Sequence, residues 1–255
     1  MKLLISNDDG VYADGINVLN DELLKNNKTT VVAPLEERST TGHTLSLDDP
    51  LRVIKISDNI YGCSGYPADC SLIGFGHILK DDKPDMIVSG INRGANLGQD
   101  IYYSGTMAAA REAVFHGIPG IAVSTALDLT LKKQTKIHYE TAAKFISTIL
   151  ADGVLDLMLP FHVINVNVPN IPEKDIKGVK LCGLAFRKYS EDISCRTDFR
   201  DREYFWVGGR YEGYEGDDKS DCYAVENSYI SISVLNLLGK EADKLSNWTQ
   251  FLSKY

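Results

Sequence analysis

The stretch LLISNDDGVYADG, residues 3–15, gives the clearest indication of the fold class. Its first residues form a short apolar run of the kind that makes a buried strand, and two adjacent carboxylates, Asp8 and Asp9, follow almost at once. In open parallel sheets, ligands bind beyond the carboxyl ends of the strands. The stretch therefore predicts a first strand at Lys2–Ser6 that leads directly into a functional edge.

Further apolar runs alternate with helix-like patterns over the first 170 residues. The predicted strands are Lys2–Ser6, Thr30–Ala33, Met86–Ser89, Gly120–Ser124 and His162–Asn167. The predicted helices are Ile16–Lys25, Ala68–Leu79, Thr106–His116 and Thr135–Leu150. Short strands separated by amphipathic helices indicate an α/β fold, a mostly parallel sheet with helices on both faces. We expect this core to span residues 1–170, with a hairpin inserted at about residues 45–63, around Asp48, Asp49 and Pro50.

The character of the chain changes after about Pro169. Residues 180–235 are rich in Tyr, Gly and Asp and favour short β segments, and residues 208–221 are rich in turn formers. The last segment, Gly239–Tyr255, has the pattern of a helix. Residues 171–255 are therefore predicted to form a β-rich C-terminal extension with a terminal helix.

Composition excludes several classes of protein. The chain has 255 residues, 44% of them hydrophobic, a net charge of −8 and a pI near 5.2, which disfavours general binding to nucleic acid or anionic membranes. No apolar run approaches the ~20 residues of a membrane span, and no secretory signal precedes the first strand. Five cysteines without a CxxC pair favour reduced thiols. These features predict a cytoplasmic enzyme whose anionic substrate would need a local positive feature.

The adjacent carboxylates are the first candidate for that feature. Burying Asp8 beside Asp9 without a cation costs several kcal/mol, because like charges raise each other's pKa. A hard divalent ion such as Mg²⁺ or Mn²⁺ removes this cost, since both ions prefer oxygen ligands. The alternative is a solvated turn, in which Asp and Gly are ordinary residues.

Two later segments reach the same predicted edge. In APLEERSTTGHTLSL, residues 33–47, Ser39 offers a hydroxyl ligand, and Arg38 offers a charge for phosphate. His43 either structures this loop or assists a leaving group. In VSGINRGANLGQDIYYSGTMAAAREA, residues 88–113, Asn92 offers a carbonyl oxygen, and Asn96 lies between two glycines.

Ser104, Gly105 and Thr106 then open an Ala-rich helix. The free N–H groups of such a helix start bind anions. Together the three segments favour a metal site beside a phosphate site, and hence hydrolysis of a phosphate ester.

At these residues the sequence resembles the SurE family, the stationary-phase survival protein nucleotidases. The resemblance covers essentially the whole chain and includes ISNDDG, the two long segments above and GIPGIAVS, residues 117–124. It implies a Rossmann-like core with a C-terminal extension exchanged between subunits, and a homodimer or homotetramer. It also implies a phosphoric monoester hydrolase of the 5′-nucleotidase type, which removes phosphate from nucleoside 5′- and 3′-monophosphates and, in some members, acts on short polyphosphate.

The resemblance also assigns roles to individual residues. It makes Asp8, Asp9, Ser39 and Asn92 the ligands of one divalent ion per subunit, Mg²⁺ or Mn²⁺. The residues Asn96, Ser104, Gly105 and Thr106 become the phosphate-side, substrate-binding residues, and Asp8, Asp9 and Asn96 the catalytic ones. Near the C-terminus the sequence departs from the family, because Ser228 stands where Gly is usual and Ser233-Val234 replace Thr-Pro.

Several chemical questions stay open at this stage. Asp8 or Asp9 acts as a general base on water, or an Asp acts as a nucleophile. A receiver-type signalling module would need an Asp after the central strand, where this chain has VSGIN. A phosphatase of the aspartate-nucleophile type would need a DxD arrangement rather than adjacent acids. A metal- and nucleotide-binding regulatory module without turnover is the remaining alternative.

Overall fold

The computed structural model describes residues 1–127 and 136–239 of the chain. Its strands are β1 (Lys2–Ser6), β2 (Lys28–Pro34), β3 (Val53–Ser57), β4 (Ile60–Cys63), β5 (Met86–Arg93), β6 (Gly120–Ala126), β7 (His162–Pro169), β8 (Val179–Leu181), β9 (Phe186–Tyr189), β10 (Ile193–Thr197), β11 (Glu203–Val207), β12 (Tyr211–Glu215) and β13 (Ile230–Asn236). Its α-helices are α1 (Asp14–Leu23), α2 (Pro67–Ile73), α3 (Gly105–Phe115), α4 (Tyr139–Ala151) and α5 (Asp221–Glu226). A π-helical turn, Gly74–Ile78, continues α2, and short 3₁₀ helices lie at Gly98–Tyr102, Val154–Leu157 and Glu173–Asp175.

Nine of the strands form one sheet in the order β3-β4-β2-β1-β5-β6-β7-β13-β8. The pairs from β4 through β7 are parallel, whereas β3 and β13 pair antiparallel with β4 and β7. This arrangement confirms the predicted α/β class. The five predicted core strands are all present. β1 has the predicted bounds, and the other four contain the predicted residues and extend beyond them by up to four residues at one or both ends.

Apolar side chains on alternate residues cover the two faces of the sheet. Leu3 and Ile5 of β1 pack in one cluster with α1 and α4, whereas Leu4 packs in another cluster with α2 and α3. Successive side chains of a strand point to opposite faces, so an uninterrupted apolar strand needs helices on both sides. All four predicted helices are present. The helix predicted at Thr135–Leu150 begins at Tyr139, and Thr135 lies outside the described residues.

The order in which strands are added to the sheet reverses at β1. From β1 the chain moves outward to β2 on one side, and it later returns to place β5 on the other side of β1. Ser6 at the end of β1 is in register with Ser89 of β5. Such a reversal opens a crevice at the carboxyl ends of the two strands, because their following loops diverge. The segments after β1 and β5 therefore meet at this crevice.

The inserted hairpin is present, but its turn is not where the sequence predicted it. β3 pairs with β4 through a turn at Asp58–Asn59 rather than around Asp48, Asp49 and Pro50. The expectation failed because Pro and Asp mark irregular chain as well as hairpin turns. Residues 45–50 instead form part of the loop that leads into β3.

The C-terminal extension contains the predicted short strands and also contributes to the core sheet. β8 and β13 complete that sheet, whereas β9–β12 form two separate two-stranded ribbons. The stretch of residues 208–221 contains β12 in addition to its turns. The predicted helix at Gly239–Tyr255 lies outside the described residues except for Gly239. In the part of the chain that is described, no helix has the length and apolarity to cross a membrane.

Candidate active site

A cavity of about 410 Å³ lies at the carboxyl edge of the sheet, beside the crevice between β1 and β5. Five of the predicted site residues line it: Asp8, Ser39, Asn92, Asn96 and Ser104. They come from three segments that are far apart in sequence: the loop after β1, the loop after β2, and the stretch from the end of β5 to the start of α3. The sheet brings these segments together because its parallel strands all end at the same edge.

Asp8 is held against the start of α3. The Thr106 hydroxyl donates a 2.5 Å hydrogen bond to Asp8 Oδ1, and the Thr106 backbone N–H also bonds this carboxyl group. Gly105 makes the close approach possible, because a Cβ at that position would lie 2.7 Å from the Asp8 Cβ. Thr106 and Gly105 therefore position Asp8, while Ser104 caps the helix by accepting from Met107 N at 3.0 Å and faces the cavity.

Burial of the two carboxylates is electrostatically costly. Asp8 is 4% exposed, and desolvation raises its pKa to about 6, despite the Thr106 hydrogen bond, with the Asp9 charge adding to the rise. Desolvation also raises the pKa of Asp9, although the Arg93 backbone N–H donates to Asp9 Oδ2 at 3.1 Å. Neither carboxylate makes an ion pair with another described residue. The chemistry of such a pair therefore suits a bound cation.

Neutral oxygen atoms surround these carboxylates. Asn92 donates from Nδ2 to the Gly94 carbonyl at 2.8 Å, so its Oδ1 is the atom that remains for an ion. Ser39 Oγ donates to Glu37 Oε1 at 2.7 Å and keeps its lone pairs. The described residues hold no cluster of three or more His, Cys, Asp or Glu side chains placed for a metal. Two carboxylates, a hydroxyl and an amide oxygen suit a hard ion such as Mg²⁺ or Mn²⁺ rather than a transition metal with nitrogen or sulfur ligands.

Asn96 is fixed by polar side chains from two neighbouring strands. Its backbone N–H donates to Asn167 Oδ1 at 2.8 Å, and its carbonyl accepts from Asn167 Nδ2 and Asn165 Nδ2 at 3.0 and 2.8 Å. Its side-chain Nδ2 donates to Ser124 Oγ at 2.9 Å. All four residues are buried. These bonds attach the loop after β5 to β6 and β7 at Asn96. This is a residue that the family resemblance assigns to the phosphate side of the site.

The far wall of the cavity is contributed by the C-terminal extension. Asp100 Oδ2 accepts from both Arg187 and the Tyr189 hydroxyl, each at 2.5 Å, and the Arg187 guanidinium lies 5.3 Å from the centre of the Tyr189 ring. Asp100, Tyr103 and Tyr189 line the cavity. The extension therefore forms part of the candidate active site in the same chain.

Sequence reasoning missed the residues that support the site from a distance. Arg38, predicted as a phosphate contact, instead lies over the Tyr66 ring at 5.3 Å and does not line the cavity. A sequence pattern could have identified Asn165 and Asn167, because polar side chains at alternate positions of an otherwise apolar strand imply a buried polar partner. No local sequence pattern could have identified Asp100 and Arg187, since their contact joins residues that are 87 positions apart.

The fold and site together define a doubly wound α/β protein with an acidic, oxygen-rich pocket at the switch point of its sheet. A family model described as "Survival protein SurE" matches residues 3–191. The chain therefore belongs to the SurE family.

Individual relatives cover nearly the whole chain. It is 43% identical over 238 residues to the 5′-nucleotidase SurE of Geobacter sulfurreducens, which covers 93% of this chain and 88% of that protein. It is 41% identical over 242 residues to the 5′-nucleotidase SurE of Alkaliphilus metalliredigens, with 92% of each chain covered. The crystal structure of the SurE protein from Aquifex aeolicus matches with a TM-score of 0.84 and 35% identity over 99% of this chain and all of that one.

Proposed function

We propose that this protein is a divalent-metal-dependent 5′-nucleotidase that hydrolyses nucleoside monophosphates to nucleoside and phosphate. The observation that carries the proposal is the buried Asp8 carboxylate in a cavity shared with Ser39, Asn92, Asn96 and Ser104, with the partly buried Asp9 carboxylate next to it in the chain but outside the cavity lining. The relatives named 5′-nucleotidase SurE support the same activity. Activity on 3′-monophosphates and short polyphosphate belongs to the proposal as well.

The residues present fit one divalent ion. Asp8, Asp9, Ser39 and Asn92 would hold it, because burial leaves the carboxylates without a compensating charge and the other two offer neutral oxygens. When bound, Mg²⁺ or Mn²⁺ supplies positive charge that stabilises the negative charge developing on the phosphate and acidifies water.

The protein's own groups would orient the substrate and move the proton. The Ser104 hydroxyl and the amide of Asn96, which both line the cavity, would donate to phosphoryl oxygens. Rotating the Asn96 amide by 180° exchanges Oδ1 and Nδ2, and the Ser124 hydroxyl can partner either atom because it both donates and accepts. Asp8, with a raised pKa, or Asp9 would accept the proton of the attacking water.

Metal dependence is tested by measuring phosphate release from nucleoside 5′- and 3′-monophosphates and short polyphosphate with Mg²⁺, Mn²⁺ or EDTA. Wild type is expected to release phosphate only with metal, and Asp9→Asn to lose the bulk of turnover while keeping its circular dichroism spectrum. Hydrolysis that is unaffected by EDTA would overturn the metal site.

The same assay tests the regulatory alternative. A protein that binds metal and nucleotide without turnover would show saturable binding by calorimetry and no phosphate release. Asp49→Asn is the matched control for Asp9→Asn, because it also replaces a carboxylate by an amide but lies on an exposed loop away from the cavity.

The proposal includes a homodimer or homotetramer assembled through the C-terminal extension. The supporting observation is the hairpin of β10 and β11, in which every residue of both strands is exposed, including Phe205, Trp206 and Val207. Exposed apolar patches of this kind mark protein interfaces.

A further inference from the structure

The loop of residues 36–46 carries Ser39 but contains no helix or strand. Its first part is fixed to the loop after β1, because Arg38 N donates to the Asp8 carbonyl at 2.7 Å. Its last part is fixed to α2, because Ser46 donates from N and Oγ to Asp69 at 3.0 and 2.8 Å. The position of the middle of the loop therefore depends on other contacts.

Two adjacent residues supply those contacts. Gly42 N donates to the Tyr103 carbonyl at 2.9 Å, just before the Ser104 cap. His43 Nε2 hydrogen-bonds Glu112 Oε2 at 2.7 Å, and its ring lies 5.9 Å from the ring of Phe115. Glu112 and Phe115 both belong to α3, the helix whose first turn holds Asp8. The loop is thus joined both to the residue before the Ser104 cap and to α3 itself.

Glu112 is a buried carboxylate with two histidine partners. Its Oε1 also contacts His116 Nε2 at 3.1 Å, one helical turn further along α3. The hydrogen bond with His43, with a smaller contribution from the contact with His116, holds the pKa of Glu112 below its usual range, so this carboxyl group is ionised at neutral pH. Hydrogen bonds to an ionised group are stronger than neutral ones.

We propose that His43 is a positioning residue that holds the Ser39 loop against α3 through Glu112, and so keeps the Ser39 hydroxyl beside Asp8 for metal binding. The inference rests on the proposed function for its catalytic consequence. His43 does not line the cavity, and its Nε2 is occupied by Glu112, which assigns it to the loop rather than to the leaving group.

His116 provides a matched control for this role. It contacts the same carboxylate but lies on α3 itself, so its removal changes Glu112 without releasing the loop. Gln places an amide nitrogen near the position of the imidazole Nε2, so His43→Gln keeps a donor for Glu112. The informative set is therefore His43→Ala, His43→Gln and His116→Ala.

The test measures Mn²⁺ affinity by calorimetry, KM and kcat for a nucleoside 5′-monophosphate, and hydrogen exchange of the metal-free protein. In His43→Ala, Mn²⁺ is expected to bind about fivefold to tenfold more weakly, the size expected when one hydrogen bond is lost. The exchange of the Gly42 amide is expected to accelerate by a similar factor. His43→Gln should recover most of both properties, and His116→Ala should stay within about twofold of wild type, since a helix-internal pair is worth little.

Two results would overturn the proposal. One is unchanged Gly42 exchange and Mn²⁺ affinity in His43→Ala, and the other is an equal loss in His116→Ala, which would assign the effect to Glu112 alone. If wild type neither binds Mn²⁺ nor releases phosphate, the proposed function is wrong. Gly42 exchange in the metal-free variants then still decides whether His43 holds the loop.

Discussion

At the scale of single residues, the site buries the Asp8 carboxyl group, although removing its negative charge from water is unfavourable. Asp8 is enclosed by Thr106 and Gly105 and has Asp9 as its chain neighbour. A rise in its pKa from 3.8 to about 6 means that ionising the native protein costs ~3 kcal/mol more than ionising the unfolded chain. Binding of the proposed cation would recover this energy.

The first prediction concerns Asp8→Asn in EDTA. Below about pH 3 the carboxyl group is protonated in both the folded and unfolded states, so wild type and variant should be equally stable. As pH rises from about 4 to about 6, the unfolded chain ionises while the folded protein stays protonated, so wild type loses up to ~3 kcal/mol relative to the variant, and the difference stays constant at higher pH. Thermal unfolding followed from pH 3 to 8 should show the variant becoming the more stable protein.

Two observations complete that test. Mn²⁺ should raise the melting temperature of wild type at pH 8 and leave Asp8→Asn unchanged. A variant that is less stable than wild type at pH 8 in EDTA would show that burial of the Asp8 charge is not costly.

The second prediction concerns the support of Asn96. Asn167→Ala removes partners of both the N–H and the carbonyl of Asn96, and an unpaired buried group costs about 1–3 kcal/mol. We expect kcat/KM to fall more than tenfold and the urea midpoint to fall. Asn165→Ala removes one bond to the same carbonyl and should have the smaller effect on both. Equal losses in the two variants would argue against specific positioning by Asn167.

At the scale of secondary-structure elements, the turn from α5 to β13 contains a strained residue. Ser228 has a φ of +67°, a conformation that favours glycine. It is also one of the positions at which the resemblance to the SurE family led us to expect glycine. Serine at this position has a physical cost, since a side chain in the left-handed region costs about 1–2 kcal/mol.

The third prediction is that Ser228→Gly stabilises the protein by about 0.5–1 kcal/mol, because relief of strain exceeds the added entropy of the unfolded chain. Urea unfolding at fixed pH measures the change. Ser228→Ala removes the hydroxyl but keeps the Cβ, so it should give no such gain. A gain in the alanine variant equal to that in the glycine variant would exclude backbone strain as the cause.

Elements and sites differed in how far the sequence predicted them. Strands such as β1 and helices such as α3 were predictable, because burial on one or two faces imposes a local apolar period. The meeting of Asp8 with Asn92 was predictable from topology, since both follow parallel strands. The turn at Asp58–Asn59 and the Asn167–Asn96 bond were not, because turn residues are ambiguous and a contact across 71 residues leaves no local period.

At the scale of the whole molecule, the hairpin of β10 and β11 is the main exposed feature of the extension. Phe205 pairs with Cys195 and Trp206 with Ser194, so the two aromatic rings lie on opposite faces of an exposed ribbon. A two-stranded ribbon alone is marginally stable in water. Its stability is therefore expected to depend on another surface, which we propose is a second copy of the chain.

The fourth prediction is that Phe205→Ser combined with Trp206→Ser lowers the molar mass measured by light scattering from that of an oligomer to that of one chain. The loss of two large apolar contacts from an interface core is expected to weaken association by at least tenfold. Leu47→Ser, which replaces another highly exposed apolar residue, is the control and should leave the mass unchanged. A wild type that is already monomeric would contradict the proposed assembly.

The position of β13 between β7 and β8 has a consequence for biosynthesis. Until Ile230–Asn236 leaves the ribosome, β7 is an open edge of buried, largely apolar residues, and β8 has no neighbour to join. Long-range pairing is slow, and unpaired strand edges promote aggregation. A nascent chain halted before residue 230 should therefore pellet or recruit a chaperone, whereas a chain that includes β13 covers this edge itself.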